Sequence, residues 1–345
     1  MFYLLLYGIL ENEKLSQRTL EDTFNDLIFK TLFDLDKSES IRRSSILERL
    51  SKIDSNYFRQ IYQYIYQQFN DAYPNKDIEK YHLIHVDSSM VSEAAGKLLE
   101  GLDNKSGKKS VKYSVAFDGL LPCHFDIFTK SKYSSEDIAL PEAIMNHVKQ
   151  EANHQNIYVI DRGLQSTRTM KSFSNDSVSF IVRAKENRKH VELKSLLKQG
   201  QDLDLDLGEL TLIKDSKVHL YTGKAINNKK GKIHYREELV ETPFRLIVAK
   251  TKTEEEKYFC FITNDFDLCA KEIAQAYRRR WDIEVFFRFI KQELHVSHLV
   301  SLNKNGIEVM LYMTLIVAML VLIYKKANSI GYKTAKRRFV WNLES

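Results

Sequence analysis

The sequence is poor in the residues that support several classes of protein. Only three of its 345 residues are cysteines, and none belongs to a C-x-x-C pair, so neither a disulfide framework nor a cysteine-based zinc site is indicated. Four prolines and twelve glycines leave long stretches without helix breakers. A glycine-rich phosphate loop of the nucleotide-binding type is absent, which fits chemistry that does not use ATP. The scattered cysteines fit a reducing cytosol.

Charge and apolar content place only wide limits on the partners and the number of structural units of the protein. The 52 lysines and arginines exceed the 46 acidic residues, and the net charge of +6 permits an anionic partner without requiring one. Apolar residues make up 43% of the chain, enough for the cores of two or three structural units. The apolar run near the start lacks a basic leading region and a small-residue cleavage site, so no secretory signal is predicted.

A second apolar run, over residues 309–324, contains no charged side chain. It is shorter than the roughly 20 residues that cross a bilayer. We therefore interpret it as a helix buried in a protein core, and we keep a membrane anchor as the alternative.

The most informative stretch covers residues 269–298. It has no proline or glycine, and its apolar residues recur at helical spacing, which predicts one long helix. At about 100° per residue, one face of that helix carries a polar set within an arc of roughly 60°. The remaining circumference is mostly aromatic and aliphatic, which indicates burial in a core. An ordinary salt-bridge face, with Glu284 paired to Arg288, is the alternative. The polar set is Tyr277, Arg280, Glu284 and Lys291.

The spacing Y-x2-R-x3-E-x6-K resembles the signature of the DDE transposases of the insertion-sequence-four family. In that family the glutamate is the third metal-binding carboxylate, so the resemblance implies two aspartates upstream, each at the end of a strand. Two short apolar runs meet this requirement: YHLIHVD ends on Asp87 and NIYVID ends on Asp161. An aspartate at a strand end is usually a turn residue, but finding both before an intact Y-R-E-K stretch supports the resemblance.

The spacing of apolar residues predicts the other elements. Helical patterns cover residues 11–33 and 44–69. The acidic alternation at 202–210 is interpreted as an edge strand or loop, because it lacks the glycine of a calcium-binding loop. Turn residues at 227–231 predict a hairpin. After the strand that ends at Asp87, the order is a hairpin of VKYSVAFD and CHFDIFT, a helix over 136–150, a strand over 156–161, a helix over 165–173 and a strand over 177–185.

This order resembles a ribonuclease H-like fold, an α/β class with a mixed sheet and flanking helices. The sheet pattern is then interrupted by predicted strands at KVHLYTG, KIHYREELV and FRLIVAKT, and such a β-rich insertion before the last catalytic helix is a further likeness to the family. The helical patterns at the start predict an all-α N-terminal region. That region looks shortened beside the DNA-end-binding segment of family members. The predicted domains are a DNA-binding helical region at 1–76, core parts at 77–184 and 259–325, the insertion at 185–258 between them, and a basic tail at 326–345.

The resemblance assigns roles to these residues. Asp87 would bridge two divalent ions, and Asp161 and Glu284 would each complete one ion site. Hard oxygen ligands favour magnesium or manganese. The residues expected to bind DNA phosphates are Tyr277, Arg280, Lys291, Arg162 and Arg288.

The implied function is metal-dependent cleavage of DNA at transposon ends and strand transfer into target DNA. The implied partner is double-stranded DNA carrying terminal inverted repeats, bound by a homodimer or higher multimer in the bacterial cytoplasm, at the nucleoid, with no membrane. Three alternatives stay open. They are a catalytically silent or truncated DNA-binding protein derived from a transposase, a stand-alone ribonuclease H-like nuclease, and a membrane-associated protein anchored by residues 309–324.

Overall fold

A computed structural model describes residues 1–11, 15–73, 81–92, 101–103, 109–151, 155–197, 206–227, 233–296 and 300–344. The chain divides into two compact units, each built from separate segments. The first unit consists of Met1–Asp77, Ser88–Ser134 and Ile283–Ser345. The second consists of Ile78–Asp87 and Ser135–Asp282.

The elements follow in chain order. The N-terminal helices are α1 (Phe2–Glu11), α2 (Gln17–Asn25), α3 (Leu27–Leu32), α4 (Arg43–Lys52) and α5 (Ser55–Ala72). The middle of the chain contains β1 (His82–Ser92), β2 (Leu102–Asp103), β3 (Lys109–Phe117), β4 (Pro122–Phe128), α6 (Glu136–Gln150), β5 (Asn156–Ile160), α7 (Thr167–Asn175) and β6 (Ser179–Ala184). The last part contains β7 (His190–Ser195), β8 (Leu210–Asn227), β9 (Ile233–Thr251), β10 (Tyr258–Thr263), α8 (Ala270–Arg278), α9 (Trp281–Gln292), α10 (Lys304–Asn328) and α11 (Tyr332–Glu344).

Polar caps divide the N-terminal helices more finely than the apolar period predicts. The prediction of a continuous helix over 11–33 is wrong, because Ser16 caps the start of α2 and Asp26 caps α3, accepting a hydrogen bond from the Ile28 N–H. Asp54 does the same at the start of α5, so the predicted helix over 44–69 is in fact two helices. A serine or aspartate side chain that binds free N–H groups starts a new helix even where the apolar period continues.

Helix α10 forms the centre of the first unit. Helices α1, α4, α5 and α11 all pack on it, and its residues belong to a large apolar cluster. By length and composition α10 could cross a membrane, yet 78% of its most apolar window is buried inside the protein. The helix also extends at both ends beyond the predicted run at 309–324. Such burial is the pattern of a core helix, as the sequence indicated.

The second unit contains a mixed sheet in the order β1-β5-β6-β10-β9-β8-β7. Strands β1, β5 and β6 are parallel, whereas β10, β9, β8 and β7 are antiparallel. Helices α6, α7 and α8 belong to the same unit. The mixed α/β prediction is therefore confirmed.

The stretches KIHYREELV and FRLIVAKT, which the sequence predicts as separate strands, form from Ile233 onward the single strand β9. Its register with β8 is irregular where Val218 pairs with Phe244 and Leu220 with Val240. Pro243 lies in this irregular part, where its missing N–H costs no regular ladder bond. The predicted turn at 227–231 lies, except for its first residue, outside the described residues.

The predicted single helix over 269–298 is wrong. The stretch forms two helices, because the Arg280 N–H bonds the Tyr277 carbonyl and the Asp282 N–H bonds the Arg279 carbonyl, the tighter spacing of a 3₁₀ turn. The guanidinium of Arg280 lies beside Asp87, with Nη1 3.9 Å from Oδ2. The joint thus involves a tertiary contact, and no proline or glycine marks it in the sequence. Residues 297–299 lie outside the described part of the chain.

Candidate functional site

The two predicted aspartates lie side by side in the second unit. The parallel pairing of β1 with β5 ends at Val86 and Ile160, and Asp87 and Asp161 are the next residues in the chain. Neighbouring strands are about 4.8 Å apart, so equal register places the two aspartates next to each other. Both residues are half-buried.

Asp87 does not end its strand, contrary to the sequence prediction. Strand β1 continues to Ser92, and the hydroxyl of Ser88 lies 2.6 Å from that of Ser114 on β3. Ser89 is buried as well. Both polar serines therefore belong to the strand, and Ser114 supplies a partner inside the fold for the Ser88 hydroxyl. Asp87 instead marks the point where β1 stops pairing with β5.

Tyr277 connects helix α8 to Asp161. Its phenol donates a hydrogen bond of 3.1 Å to Asp161 Oδ1, and its buried ring lies 5.0 Å from the ring of Phe261. Burial raises the pKa of Tyr277, the charge of Arg280 opposes this, and the charge of Asp161 adds to it. The phenol therefore stays protonated near neutral pH and donates to the carboxylate. Its role as a phosphate ligand stays a prediction.

Arg280 places a positive charge beside Asp87. The 3.9 Å between Nη1 and Asp87 Oδ2 is too long for a hydrogen bond but close enough for charge attraction. The guanidinium carbon also lies 5.7 Å from the centre of the Tyr277 ring. Because two neighbouring carboxylates repel each other, a cation at this position offsets part of their repulsion.

The other predicted site residues are distributed differently. Arg162 follows Asp161 directly and is exposed. Helix α9 continues into the first unit from Ile283, where Glu284 is half-buried and Arg288 and Lys291 are exposed. The Lys291 ammonium lies 5.7 Å from the centre of the Phe287 ring. The structure therefore brings Asp87, Asp161, Tyr277 and Arg280 together in one unit.

Arg183 is a neighbour that the sequence analysis missed. Ile160 on β5 pairs with Val182 on β6, so Arg183 stands at the level of Asp161 on the next strand. Its guanidinium carbon lies 4.3 Å from the centre of the Phe259 ring. The sequence shows this arginine near the end of the run SVSFIVRAK. Its position beside Asp161 follows only from the register of β5 with β6.

The aspartate pair has the donor chemistry of a divalent cation site. Within the part of the chain that the structure describes, no group of three or more His, Cys, Asp or Glu side chains is arranged to hold a metal. Two half-buried carboxylates on adjacent strands nevertheless present the hard oxygen atoms that Mg²⁺ and Mn²⁺ prefer. The donor chemistry of Asp87 and Asp161 therefore suits a divalent cation.

A family model and two known proteins match the chain. A family model described as a transposase DDE domain matches residues 79–320. The chain is 24% identical over 291 residues to a protein assigned as the transposase of insertion sequence element IS4SA in Synechocystis sp., covering 83% of this chain and 72% of that protein. It is 25% identical over 159 residues to a protein assigned as the transposase of insertion sequence element IS5377 in Geobacillus stearothermophilus, covering 46% of this chain and 37% of that protein.

A solved structure resembles the fold. It is the cryo-EM structure of the piggyBac transposase synaptic complex with hairpin DNA, with a TM-score of 0.50 and 11% sequence identity. The match covers 100% of this chain and 70% of that one. At this identity the likeness concerns the fold alone.

Proposed function

Because the chain belongs to the family of transposases with a DDE domain, we propose that it cleaves DNA at the ends of a mobile element and joins those ends to target DNA. Membership of this family makes it a DNA transposase, an enzyme that cuts and transfers DNA strands. The observation that carries the site assignment is the equal register of Asp87 and Asp161 on adjacent parallel strands. Tyr277 and Arg280 contact or adjoin these two carboxylates.

We assign the catalytic carboxylates to Asp87, Asp161 and Glu284. The first two are supported by their register, and Glu284 is supported by its place in the Y-R-E-K spacing. All three would serve as ligands of two divalent ions, either magnesium or manganese. When bound, such ions activate the attacking oxygen and stabilise the leaving oxygen of a phosphodiester.

The side chains of the protein have their own tasks. Tyr277 fixes one oxygen of Asp161, so that the carboxylate keeps one orientation. Arg280 offsets the repulsion between the aspartates and presents forked donors that suit a phosphate. Arg162, Arg288 and Lys291 are exposed and would contact the DNA backbone, which fixes its register without reading bases.

Finer assignments are part of the same proposal. The Y-R-E-K spacing and the likeness to the IS4SA protein support membership of the insertion-sequence-four family. Strands β1, β5 and β6 in parallel order, followed by helices α8 and α9, support a ribonuclease H-like arrangement. The partner would be double-stranded DNA with terminal inverted repeats, bound by a homodimer or higher multimer at the bacterial nucleoid in the cytoplasm.

A cleavage assay tests the assignment. Purified protein is incubated with a labelled duplex carrying the ends of the element and with Mg²⁺, beside Asp161→Ala and Asp87→Ala. The control is Asp176→Ala, which removes the carboxylate that accepts the exposed Ser172 hydroxyl hydrogen bond. We expect nicking and joining by the wild type and by the control, and a loss of at least about a thousandfold in both site variants.

The outcomes separate the alternatives. Cleavage that survives Asp161→Ala would refute the carboxylate assignment. Salt-sensitive DNA binding without any cutting would favour the silent or truncated protein. Cutting without joining would favour a stand-alone nuclease. Chelation with EDTA should stop the reaction, and added Mg²⁺ should restore it.

A further inference from the structure

The loop after Asp161 is fastened to the start of helix α6. The backbone N–H groups of Gln165 and Ser166 both donate to Oδ1 of Asp137, at 2.6 and 2.8 Å. Asp137 lies in the first turn of α6 and is half-buried. One carboxylate oxygen thus holds two consecutive amides. Hydrogen bonds to a charged acceptor are about twice as strong as neutral ones.

A close steric contact acts on the same loop. A methyl group added at Gly163 would lie 3.0 Å from Cβ of Glu136 and 3.4 Å from Cδ1 of Leu140. The loop backbone therefore lies so close to α6 that a side chain at position 163 would force the loop or the Glu136 side chain to shift by a few tenths of an ångström. This contact is independent of the two hydrogen bonds. It acts on Gly163, which lies between Asp161 and the two amides that Asp137 binds.

The loop between these anchors is short and folded on itself. The Leu164 N–H donates to the Asp161 carbonyl at 3.3 Å, the Leu164 side chain is fully buried, and the Gln165 side-chain amide donates to the Arg162 carbonyl at 2.6 Å. Chain that follows a strand end is otherwise among the more mobile parts of a fold. A displacement at Gln165 would be transmitted to Asp161 through these few residues.

We propose that Asp137 is a positioning residue for Asp161: its carboxylate clamps the loop to α6 and thereby fixes where the Asp161 carboxylate stands. This inference rests on the proposed function of Asp161. Asp137 touches no reacting group and acts through the backbone alone. Its position on a helix that the Y-R-E-K spacing does not include explains why no sequence motif marks it.

Asp137 has a second electrostatic neighbour that the test must separate. Burial lowers the pKa of the Arg188 guanidinium, and the charge of Asp137 opposes that lowering. Asp137→Asn keeps an oxygen that can accept both N–H groups and removes the charge. Asp137→Ala removes both. The pair of variants therefore distinguishes the clamp from the charge effect.

The experiment measures the loop and the site separately. Hydrogen exchange of the full-length protein measures the protection of the Gln165 and Ser166 amides. Mn²⁺ titration followed by electron paramagnetic resonance measures the affinity of the aspartate pair for the ion. For Asp137→Ala we expect exchange at both amides to rise more than about tenfold and the Mn²⁺ dissociation constant to rise about tenfold. Asp137→Asn should keep both the exchange rates and the Mn²⁺ dissociation constant close to those of the wild type. Glu142→Ala, which removes an exposed carboxylate from the same helix, should change neither.

A second variant displaces the loop with the clamp residue intact. Gly163→Ala should push the loop away from α6 and give the same two changes. Faster exchange throughout the second unit in Asp137→Ala would overturn the proposal, since it would make Asp137 a general fold residue. Wild-type Mn²⁺ affinity in Asp137→Ala would overturn it as well. A wild-type protein that neither binds Mn²⁺ nor cuts DNA would refute the proposed function itself.

Discussion

Replacing Tyr277 by phenylalanine isolates one hydrogen bond at the candidate site. The ring keeps its packing against Phe261, so the change removes only the donor to Asp161 Oδ1 at 3.1 Å. A hydrogen bond to a charged group contributes about 1.5–3 kcal/mol. Because Asp161 is half-buried, water replaces part of the loss, and about 1.5 kcal/mol is the appropriate figure. That corresponds to about a tenfold slower cleavage step.

The assay is single-turnover cleavage of the end duplex at saturating Mg²⁺. Tyr258→Phe is a matched control, since the phenol of Tyr258 is exposed and donates to Glu256 Oε2 at a long 3.4 Å. We expect the control to cleave at the wild-type rate. An unchanged rate in Tyr277→Phe would refute the orienting role. A loss beyond about a thousandfold would refute it too, because the phenol would then take part in the chemistry itself.

Three further predictions concern stability. Arg245 donates to both carboxylate oxygens of Asp215 at 2.8 and 2.7 Å, and both side chains are buried. Arg245→Leu should lower the free energy of unfolding in urea by about 3–5 kcal/mol, and adding Asp215→Leu should recover most of that loss. Burial raises the pKa of Tyr312 to about 12 from 10, so the folded protein loses stability as the pH rises from 10 towards 12. Tyr312→Phe should remove about 2 kcal/mol of that loss when urea unfolding is measured at several pH values. An unchanged dependence of the unfolding free energy on pH would contradict this prediction. A methyl group at Gly306 would lie 2.7 Å from Cβ of Ser301, so Gly306→Ala should lower the unfolding free energy by about 1–3 kcal/mol, and an equal or higher midpoint would contradict the packing.

Local patterns in the sequence define several elements in each of the two units. The helix predicted over 136–150 is α6 with the same bounds, because acidic residues begin it and apolar residues recur at helical spacing. The predicted hairpin is the antiparallel pair β3 and β4 of the first unit. Asp161 lies directly after its strand, as predicted. In each case the deciding signal lies within a few residues of the element.

The missed features depend on partners that are distant in the sequence. Ser88 and Ser89 read as a strand end, yet they continue β1, where the Ser88 hydroxyl meets that of Ser114 and Ser89 is buried. The joint between α8 and α9 adjoins Asp87 through Arg280, far upstream in the chain. Asp137 gains its contact with Gln165 only when α6 is folded. Periodicity cannot reveal such contacts, because the pattern within a window contains only one of the two partners.

The position of α10 within the chain has a consequence for synthesis of the protein. The helices α1, α4 and α5 leave the ribosome first, but the helix on which they pack is made only after the whole of the second unit. The core of the first unit therefore joins segments far apart in sequence, which slows folding. Until α10 emerges, the faces of α1, α4 and α5 that pack on it lack this partner. A copy of the gene interrupted before residue 304 would still encode both aspartates, yet its product would lack the centre of the first unit and would be a substrate for proteolysis.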